Sequence, residues 1–77
     1  MHYLLTLHYT TDYLERRGAF RKQHLAQAWA AQERGQLLLA GALGDPPDRG
    51  VFVFDCDSVA PIEAFVQADP YFQNGLV

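Results

Sequence analysis

The segment Leu37–Phe54, with the sequence LLLAGALGDPPDRGVFVF, decides the fold of this chain. Its middle, Gly44–Gly50, combines prolines with glycines and predicts a turn. The apolar runs on either side, Leu37–Leu43 and Val51–Phe54, have the length of strands, so the segment predicts a β-hairpin. Both strands are apolar on both faces, which is typical of a sheet that is covered on both sides.

The residues before the hairpin predict a strand followed by a helix. Met1–Thr10 has the alternating pattern of a strand, and after a break at Thr10–Asp12 a helical pattern extends to about Arg34. Gly18 is expected to interrupt or kink this helix. Gly35 is a suitable stop residue just after its last turn.

The residues after the hairpin predict a second helix and the beginning of another strand. Ser58 is expected to cap the helix, and Pro61 is tolerated in its first turn. The helix should end near Asp69, because Pro70 disfavours helical geometry in the residue before it. Gly75–Val77 then predicts the start of a last strand that the chain does not complete.

The predicted order β-α-β-β-α-(β) over residues 1–77 indicates one α+β domain with the ferredoxin-like split βαβ fold. Two helices can cover only one face of a four-stranded sheet. We therefore expect the other face to meet a second copy of the chain, giving a homodimer or a higher oligomer. The hydrophobic content of 49% in only 77 residues also favours association.

Charge and hydropathy exclude several classes of protein. A net charge of −3 argues against nucleic-acid binding, which requires a basic surface. No apolar stretch approaches the ~20 residues that span a bilayer. The N-terminal residues lack the pattern of a signal peptide, so we expect a cytoplasmic protein that does not bind membranes. A local basic cluster, Arg16, Arg17, Arg21 and Lys22, could attract one anionic metabolite.

Two polar residues lie on the apolar faces of the predicted helices. His24 falls within an apolar arc of the first helix whose other members are Phe20, Leu25, Ala28, Trp29 and Ala31, and we expect Trp29 to belong to the core. Asp69 ends the apolar stripe of Ile62, Phe65 and Val66 on the second helix. Because the helices of this fold run antiparallel, Asp69 should approach His24 and Arg21. A cationic partner would offset the unfavourable position of a carboxylate at a helix C-terminus.

The residues leave two interpretations of this group open. An Asp–His pair is a general acid/base unit, because the carboxylate fixes the tautomer of the imidazole and leaves its other nitrogen to exchange a proton. Alternatively, His24, Asp69 and Arg21 form a partly buried ion pair that only joins the two helices.

The remaining candidates have simpler explanations. His2 and His8 share a strand face about 20 Å apart and are interpreted as surface or interface residues. Ser58 lies about 16 Å along the helix from Asp69, so no catalytic triad forms within one chain. Cys56 lies between two aspartates, which discourages its thiolate. No motif for a metal or a nucleotide is present, and no cofactor is expected.

Three segments resemble motifs of the YCII-like (YciI-related) family. Arg21–Leu25 resembles its R-x-x-H-L segment, Gly35–Gly41 its G-x-L…aG strand, and Asp69–Leu76 its D-P-[FY]…aGL signature. The three segments cover nearly the whole chain in the right order and spacing. One departure is Ala42, where the family usually has proline after the strand glycine.

The resemblance implies a dimeric α/β barrel with a cleft in which His24 and Asp69 are the catalytic pair. Arg21 would anchor an anionic substrate, and Gly41 with Tyr71 and Phe72 would contact it, although the two aromatic residues could instead pack the dimer. The superfamily includes lactone isomerases, and relatives include a dehydrochlorinase. The leading hypothesis is an elimination or isomerisation of a small carboxylated compound, by a lyase or an isomerase. The alternative is a non-catalytic ligand-binding or dimerisation module.

Overall fold

The chain forms one antiparallel sheet of three strands with its helices packed on one face. The computed structural model describes residues 1–77. In chain order the elements are β1 (His2–His8), α1 (Tyr13–Arg16), a 3₁₀ turn (Arg17–Ala19), α2 (Arg21–Glu33), β2 (Leu37–Leu43), β3 (Arg49–Asp55), α3 (Ala60–Ala68) and α4 (Pro70–Gln73). No helix combines the length and the apolar character needed to cross a membrane.

The strand order β1-β3-β2 confirms the predicted hairpin and the ferredoxin-like fold class. β3 pairs with both neighbours, so that Phe52 lies opposite Leu5 on one side and Ala40 on the other. The predicted interruption of the first helix is present as the 3₁₀ turn around Gly18. The predicted stop at Gly35 is confirmed by its φ of 77°, in the left-handed region that favours glycine.

β2 contains a β-bulge that changes which of its residues face the helices. Leu37 lies opposite Phe54, whereas Leu39 lies opposite the adjacent residue Val53, so Leu38 is an additional residue in the strand. Leu37 is buried, but Leu38 and Leu39 are 49% and 68% exposed. The bulge therefore leaves two consecutive leucines outside the core.

Most of the interior is an apolar core between the sheet and the longer helices. β3 buries every second residue, as expected for a strand with one face against helices. The spacing of Ile62 and Phe65 places both on the buried side of α3. The buried members of the apolar core are Leu7, Ala31, Leu37, Phe52, Phe54, Ile62 and Phe65.

A second buried group, the tyrosine cluster, joins the end of β1 to the C-terminal segment. Its buried members are Tyr13, Tyr71 and Leu76, with Tyr9 and Phe20 packed against them. The rings of Tyr9 and Tyr13 are stacked with centroids 4.0 Å apart. Tyr71 meets both rings edge-on, at 5.9 and 5.5 Å. These distances are typical of favourable aromatic pairs.

The C-terminal residues correct the expectation of a last strand. Gly75 turns the chain with a φ of 76°, and Gly75–Val77 forms no strand. Leu76 is fully buried in the tyrosine cluster, and its carbonyl oxygen accepts a hydrogen bond of 2.8 Å from the N–H of Thr10. The burial of Leu76 explains why this apolar segment folds inwards.

Two further expectations from the sequence are wrong. α3 begins at Ala60 with Val59 as its N-cap, and Ser58 contributes only a long hydrogen bond of 3.4 Å from the Ala60 N–H to its hydroxyl. Trp29 is not a core residue, because 62% of it is exposed. Trp29 instead lines an exposed groove beside Leu38 and Leu39 of the edge strand β2.

Candidate active site

Asp69 occupies the junction between α3 and α4. Its backbone leaves the helical region, with a ψ of 123°, as expected for a residue before proline. Its carboxylate is fully buried, and Oδ1 accepts a hydrogen bond of 3.1 Å from the N–H of Tyr71. The side chain thus caps the beginning of α4, where a negative charge is favoured. The expected penalty at the end of α3 is replaced by this favourable contact.

His24 lies in the first turn of α2 and meets Asp69. Its Nδ1 is 2.8 Å from Oδ1 of Asp69. Because an ionised carboxylate can only accept hydrogen bonds, Nδ1 is the protonated nitrogen that donates. The imidazole stacks on Tyr71 with centroids 4.1 Å apart, and Phe52 approaches its edge at 6.2 Å. The ring is therefore fixed by both a hydrogen bond and aromatic packing.

The second nitrogen of His24 has no partner within the chain. Nε2 makes no hydrogen bond, and it is not among the buried polar atoms that lack one. In the neutral ring with a proton on Nδ1, Nε2 carries the lone pair. A side chain that is 8% exposed thus presents an available base at the wall of a cavity.

The cavity beside His24, called the cleft below, has a volume of about 180 Å³. Its floor comes from the sheet and its walls from α2 and the tyrosine cluster. The lining residues are Tyr9, Tyr13, Arg17, Arg21, His24, Leu25, Ala28, Ala40, Gly41, Ala42, Gly50, Phe52 and Tyr71. Asp69 lies behind His24 and does not reach the cleft.

Four of the residues singled out in the sequence line the cleft: Arg21, His24, Gly41 and Tyr71. Phe72 does not, because one step of about 100° along α4 turns it away from Tyr71. It is 40% exposed. Arg21 reaches the cleft but forms no ion pair with Asp69. The expected group of three is therefore a pair, with a separate arginine.

Arg17 is a cleft residue that the sequence indicated only as part of a basic cluster. It lies one turn before Arg21, and its guanidinium carbon is 5.4 Å above the ring centre of Tyr13. The one hydrogen bond of its side chain, of 3.4 Å, goes to the hydroxyl of Tyr13. Neither arginine pairs with a carboxylate. Two unpaired cations at one wall favour an anionic ligand.

Tyr9 and Tyr71, two of the cleft residues, have raised pKa values and remain neutral over the physiological range. Burial, followed by the proximity of Tyr13, raises the pKa of Tyr9 well above its usual value of 10.0. Burial also raises the pKa of Tyr71. The hydroxyl of Tyr71 and Oδ2 of Asp69 are buried without a hydrogen-bond partner. The site thus contains polar capacity beyond what folding uses.

The other polar candidates lie outside this site. His2 and His8 are exposed on β1. The thiol of Cys56 donates a hydrogen bond of 3.2 Å to the carbonyl of Ser58. No group of three or more His, Cys, Asp or Glu residues is arranged to hold a metal ion.

Comparisons with known proteins give one family and one informative structure. The model of the YCII-related domain family matches residues 1–77. A solved structure of 5-chloro-2-hydroxyhydroquinone dehydrochlorinase (TftG) from Burkholderia phenoliruptrix AC1100, in complex with 2,5-dihydroxybenzoquinone, is similar with a TM-score of 0.81 and 19% sequence identity. The match covers 99% of this chain and 84% of that one. No curated protein sequence matches the chain.

Proposed function

The chain belongs to the YCII-related domain family, and from that premise we propose that it is a small-molecule enzyme with His24 as general acid/base. Asp69 orients the imidazole, and Arg21 holds an anionic group of the substrate. The proposed reaction is an elimination or an isomerisation of a small carboxylated compound. One observation carries the proposal: the bond of 2.8 Å from His24 to Asp69 lies in the wall of a cleft.

The proposed chemical step begins with a proton on a carbon next to an electron-withdrawing group. Nε2 of His24 takes this proton, and the electrons of the broken C–H bond form a carbon–carbon double bond. In an elimination, the leaving group departs with the electrons of its own bond. In an isomerisation, the new double bond displaces the electrons of an existing neighbouring double bond onto its far carbon, and that carbon takes the proton back from the imidazolium. Asp69 stabilises the imidazolium in both cases, through the hydrogen bond to Nδ1.

The similar structure supports a reaction of the elimination type. That protein is a dehydrochlorinase, and its structure contains a dihydroxybenzoquinone. The cleft of the present chain, with its aromatic walls and two arginines, has a shape and charge suited to a small planar anion.

The open face of the sheet supports a homodimer as the working form. Leu4, Val53 and Leu39 form one row across this face, and Leu4 and Leu39 are each 68% exposed. Packing of two such faces would bury these side chains. Sedimentation at increasing concentration tests this part. A Leu4→Lys variant should shift the assembly to monomers. If the native protein keeps the mass of a single chain at every concentration, the dimer is contradicted.

A non-catalytic module is the alternative function, and the burial of the pair favours it. Asp69 is fully buried and His24 is 8% exposed, so their hydrogen bond also joins α2 to α4. In this alternative the pair contributes stability, and a ligand binds in the cleft without reacting.

The two functions can be separated by proton exchange in D₂O. Small carboxylic acids with an acidic C–H bond are incubated with the protein, and loss of the C–H signal is followed by NMR. We expect a His24→Gln variant to lower kcat/KM about 10²–10⁴-fold, the usual contribution of a general base. His2→Gln, on the exposed part of β1, is the matched control. Unchanged turnover in His24→Gln, verified as folded by circular dichroism, would remove the proposal.

A further inference from the structure

An apolar groove lies next to the cleft, along the edge strand of the sheet. Its volume is about 260 Å³, and seven of its eight lining residues are hydrophobic. Its walls include Leu25 and Trp29 from α2, and Leu38 and Leu39 from the bulge of β2. These four side chains are between 39% and 68% exposed. Such a group of exposed apolar side chains indicates a binding surface.

The groove and the cleft adjoin each other. Leu25, Ala28 and Ala40 line both. Two of these shared residues are alanines, so the boundary between the two spaces is formed in part by small side chains. The groove therefore borders the cleft directly.

The character of this combined space changes steadily along α2. Arg21 lies at one end, His24 follows, and Trp29 lies at the other end. Eight residues of helix separate Arg21 from Trp29, which is a distance of about 12 Å. A molecule lying along the helix would meet cationic groups first, then the imidazole, and finally an apolar wall.

We propose that the cleft and the groove together bind one amphipathic anion. Its anionic group lies near Arg17 and Arg21, its reacting carbon near His24, and an apolar chain or ring lies between Trp29 and Leu38. The position of the reacting carbon rests on the function proposed above, whereas the groove as an apolar subsite does not. The substrate class is thus a carboxylic acid with a hydrophobic substituent of several carbons.

The residues shared by the two spaces favour a ligand over a second copy of the chain as the occupant of the groove. Leu25 and Ala40 belong to the rim of both spaces. A protein surface seated on them would also close the cleft. An apolar substituent of the substrate covers the same side chains and leaves the cleft in use.

Straight-chain carboxylates test the proposal with Trp29 as the reporter. Trp29 is the single tryptophan of the chain, so its fluorescence reports on the groove alone. The probes are the sodium salts of butanoic, hexanoic and octanoic acid. We expect the Kd to fall about tenfold for each two added methylene groups, because each buried methylene strengthens binding about fourfold at most. The emission of Trp29 should move to shorter wavelength with the longer acids.

Two substitutions separate the groove from the arginines. Leu25→Ser should reduce the Kd ratio between butanoate and octanoate at least threefold. Leu14→Ser is the matched control, because Leu14 is 40% exposed, compared with 39% for Leu25, and lines no cavity. Arg21→Gln should weaken all three acids by the same factor.

His24→Gln distinguishes this proposal from the catalytic one. If the enzymatic proposal is wrong, the His24→Gln variant shows unchanged turnover. The Kd of the carboxylates still depends on chain length in the same way in this variant and in the native chain. A Kd that is independent of chain length overturns the apolar subsite, whatever the turnover. It is equally overturned if Trp29 becomes shielded with rising protein concentration and without any acid, because a second copy then occupies the groove.

Discussion

The apolar core and the tyrosine cluster are built on different principles, although both lie on the helix-covered side of one sheet. The apolar core contains no polar side chain among its buried members. The tyrosine cluster packs beside the buried hydrogen bond between His24 and Asp69, contains stacked rings, and holds a hydroxyl without a hydrogen-bond partner. The apolar core therefore serves only to bury apolar side chains.

This difference indicates a division of labour within a very small domain. A core of only seven buried apolar residues has to supply most of the free energy of folding. The tyrosine cluster and the His24–Asp69 pair place polar groups in a low-dielectric site. This burial lowers the free energy of unfolding, but it is useful for binding and proton transfer. Substitutions should therefore separate stability from activity.

The largest effect is expected in the apolar core. Phe54→Ala should lower the free energy of unfolding by about 4 kcal/mol, because the ring is 1% exposed and its removal leaves a cavity. The activity of the folded fraction should remain unchanged. Urea denaturation measures the effect, and Phe72→Ala, at a residue that is 40% exposed, is the control with a loss below about 1 kcal/mol. Equal losses in the two variants would contradict the assignment of this core.

Asp69→Ala should have the next largest effect, and the only one that lowers both stability and activity. The change removes the partner of His24 and the cap of α4, which should cost about 3 kcal/mol. Asp69→Asn should be milder, since the amide oxygen can still accept from the Tyr71 N–H. Asp57→Ala, at an exposed residue that forms no ion pair, is the control. A wild-type melting temperature for Asp69→Ala would show that the buried pair contributes nothing.

Tyr71→Phe tests whether the unpaired hydroxyl of the tyrosine cluster is reserved for a ligand. Removing a buried hydroxyl that has no partner should leave stability unchanged or raise it by up to about 1 kcal/mol, while the stacking on His24 persists. Ligand affinity should fall if the hydroxyl contacts the ligand. Thermal unfolding and carboxylate binding are measured on the same sample. A marked loss of stability would mean that the hydroxyl has a structural partner.

A further effect on stability is expected at alkaline pH. Because the folded state raises the pKa of Tyr9 and Tyr71, the unfolded chain loses these protons first, near pH 10.0. The free energy of unfolding should therefore be unaffected below about pH 9 and should decrease as the pH rises above about 10. Urea midpoints at pH 8 and pH 11 measure the decrease. It should be smaller in Tyr9→Phe, and an identical decrease in that variant would contradict the role of Tyr9.

The apolar core was predictable from local patterns, whereas the tyrosine cluster was not. The hairpin, the break near Gly18 and the helix stop at Gly35 follow from residue spacing and turn chemistry, and the structure confirms them. The approach of Asp69 to His24 needed only the antiparallel packing of two helices. The exposure of Trp29 was missed, because a helical wheel shows which residues share a side but not how far the sheet extends.

The tyrosine cluster combines residues from five separate segments, and no periodicity connects them. Tyr13 lies on a helix of only four residues, and Leu76 in a segment without regular structure. The burial of Leu76 in place of the predicted strand was also missed, because no sequence periodicity indicates it. The position of Arg17 beside Tyr13 could have been suspected only from the basic cluster on one side of the interrupted helix.

The β-bulge at Leu38 acts as an insertion of one residue. It adds a wall residue to the groove and leaves the pairing of the rest of β2 with β3 unchanged. Ala40 lies opposite Phe52, and Ala42 lies opposite Gly50. A regular strand that began at Leu37 and lacked Leu38 would have the same pairing. Deleting this one leucine should therefore preserve the near-ultraviolet dichroism of the packed tyrosines while shortening one wall of the neighbouring apolar space. A single codon would then separate where a substrate reacts from how its hydrophobic part is recognised.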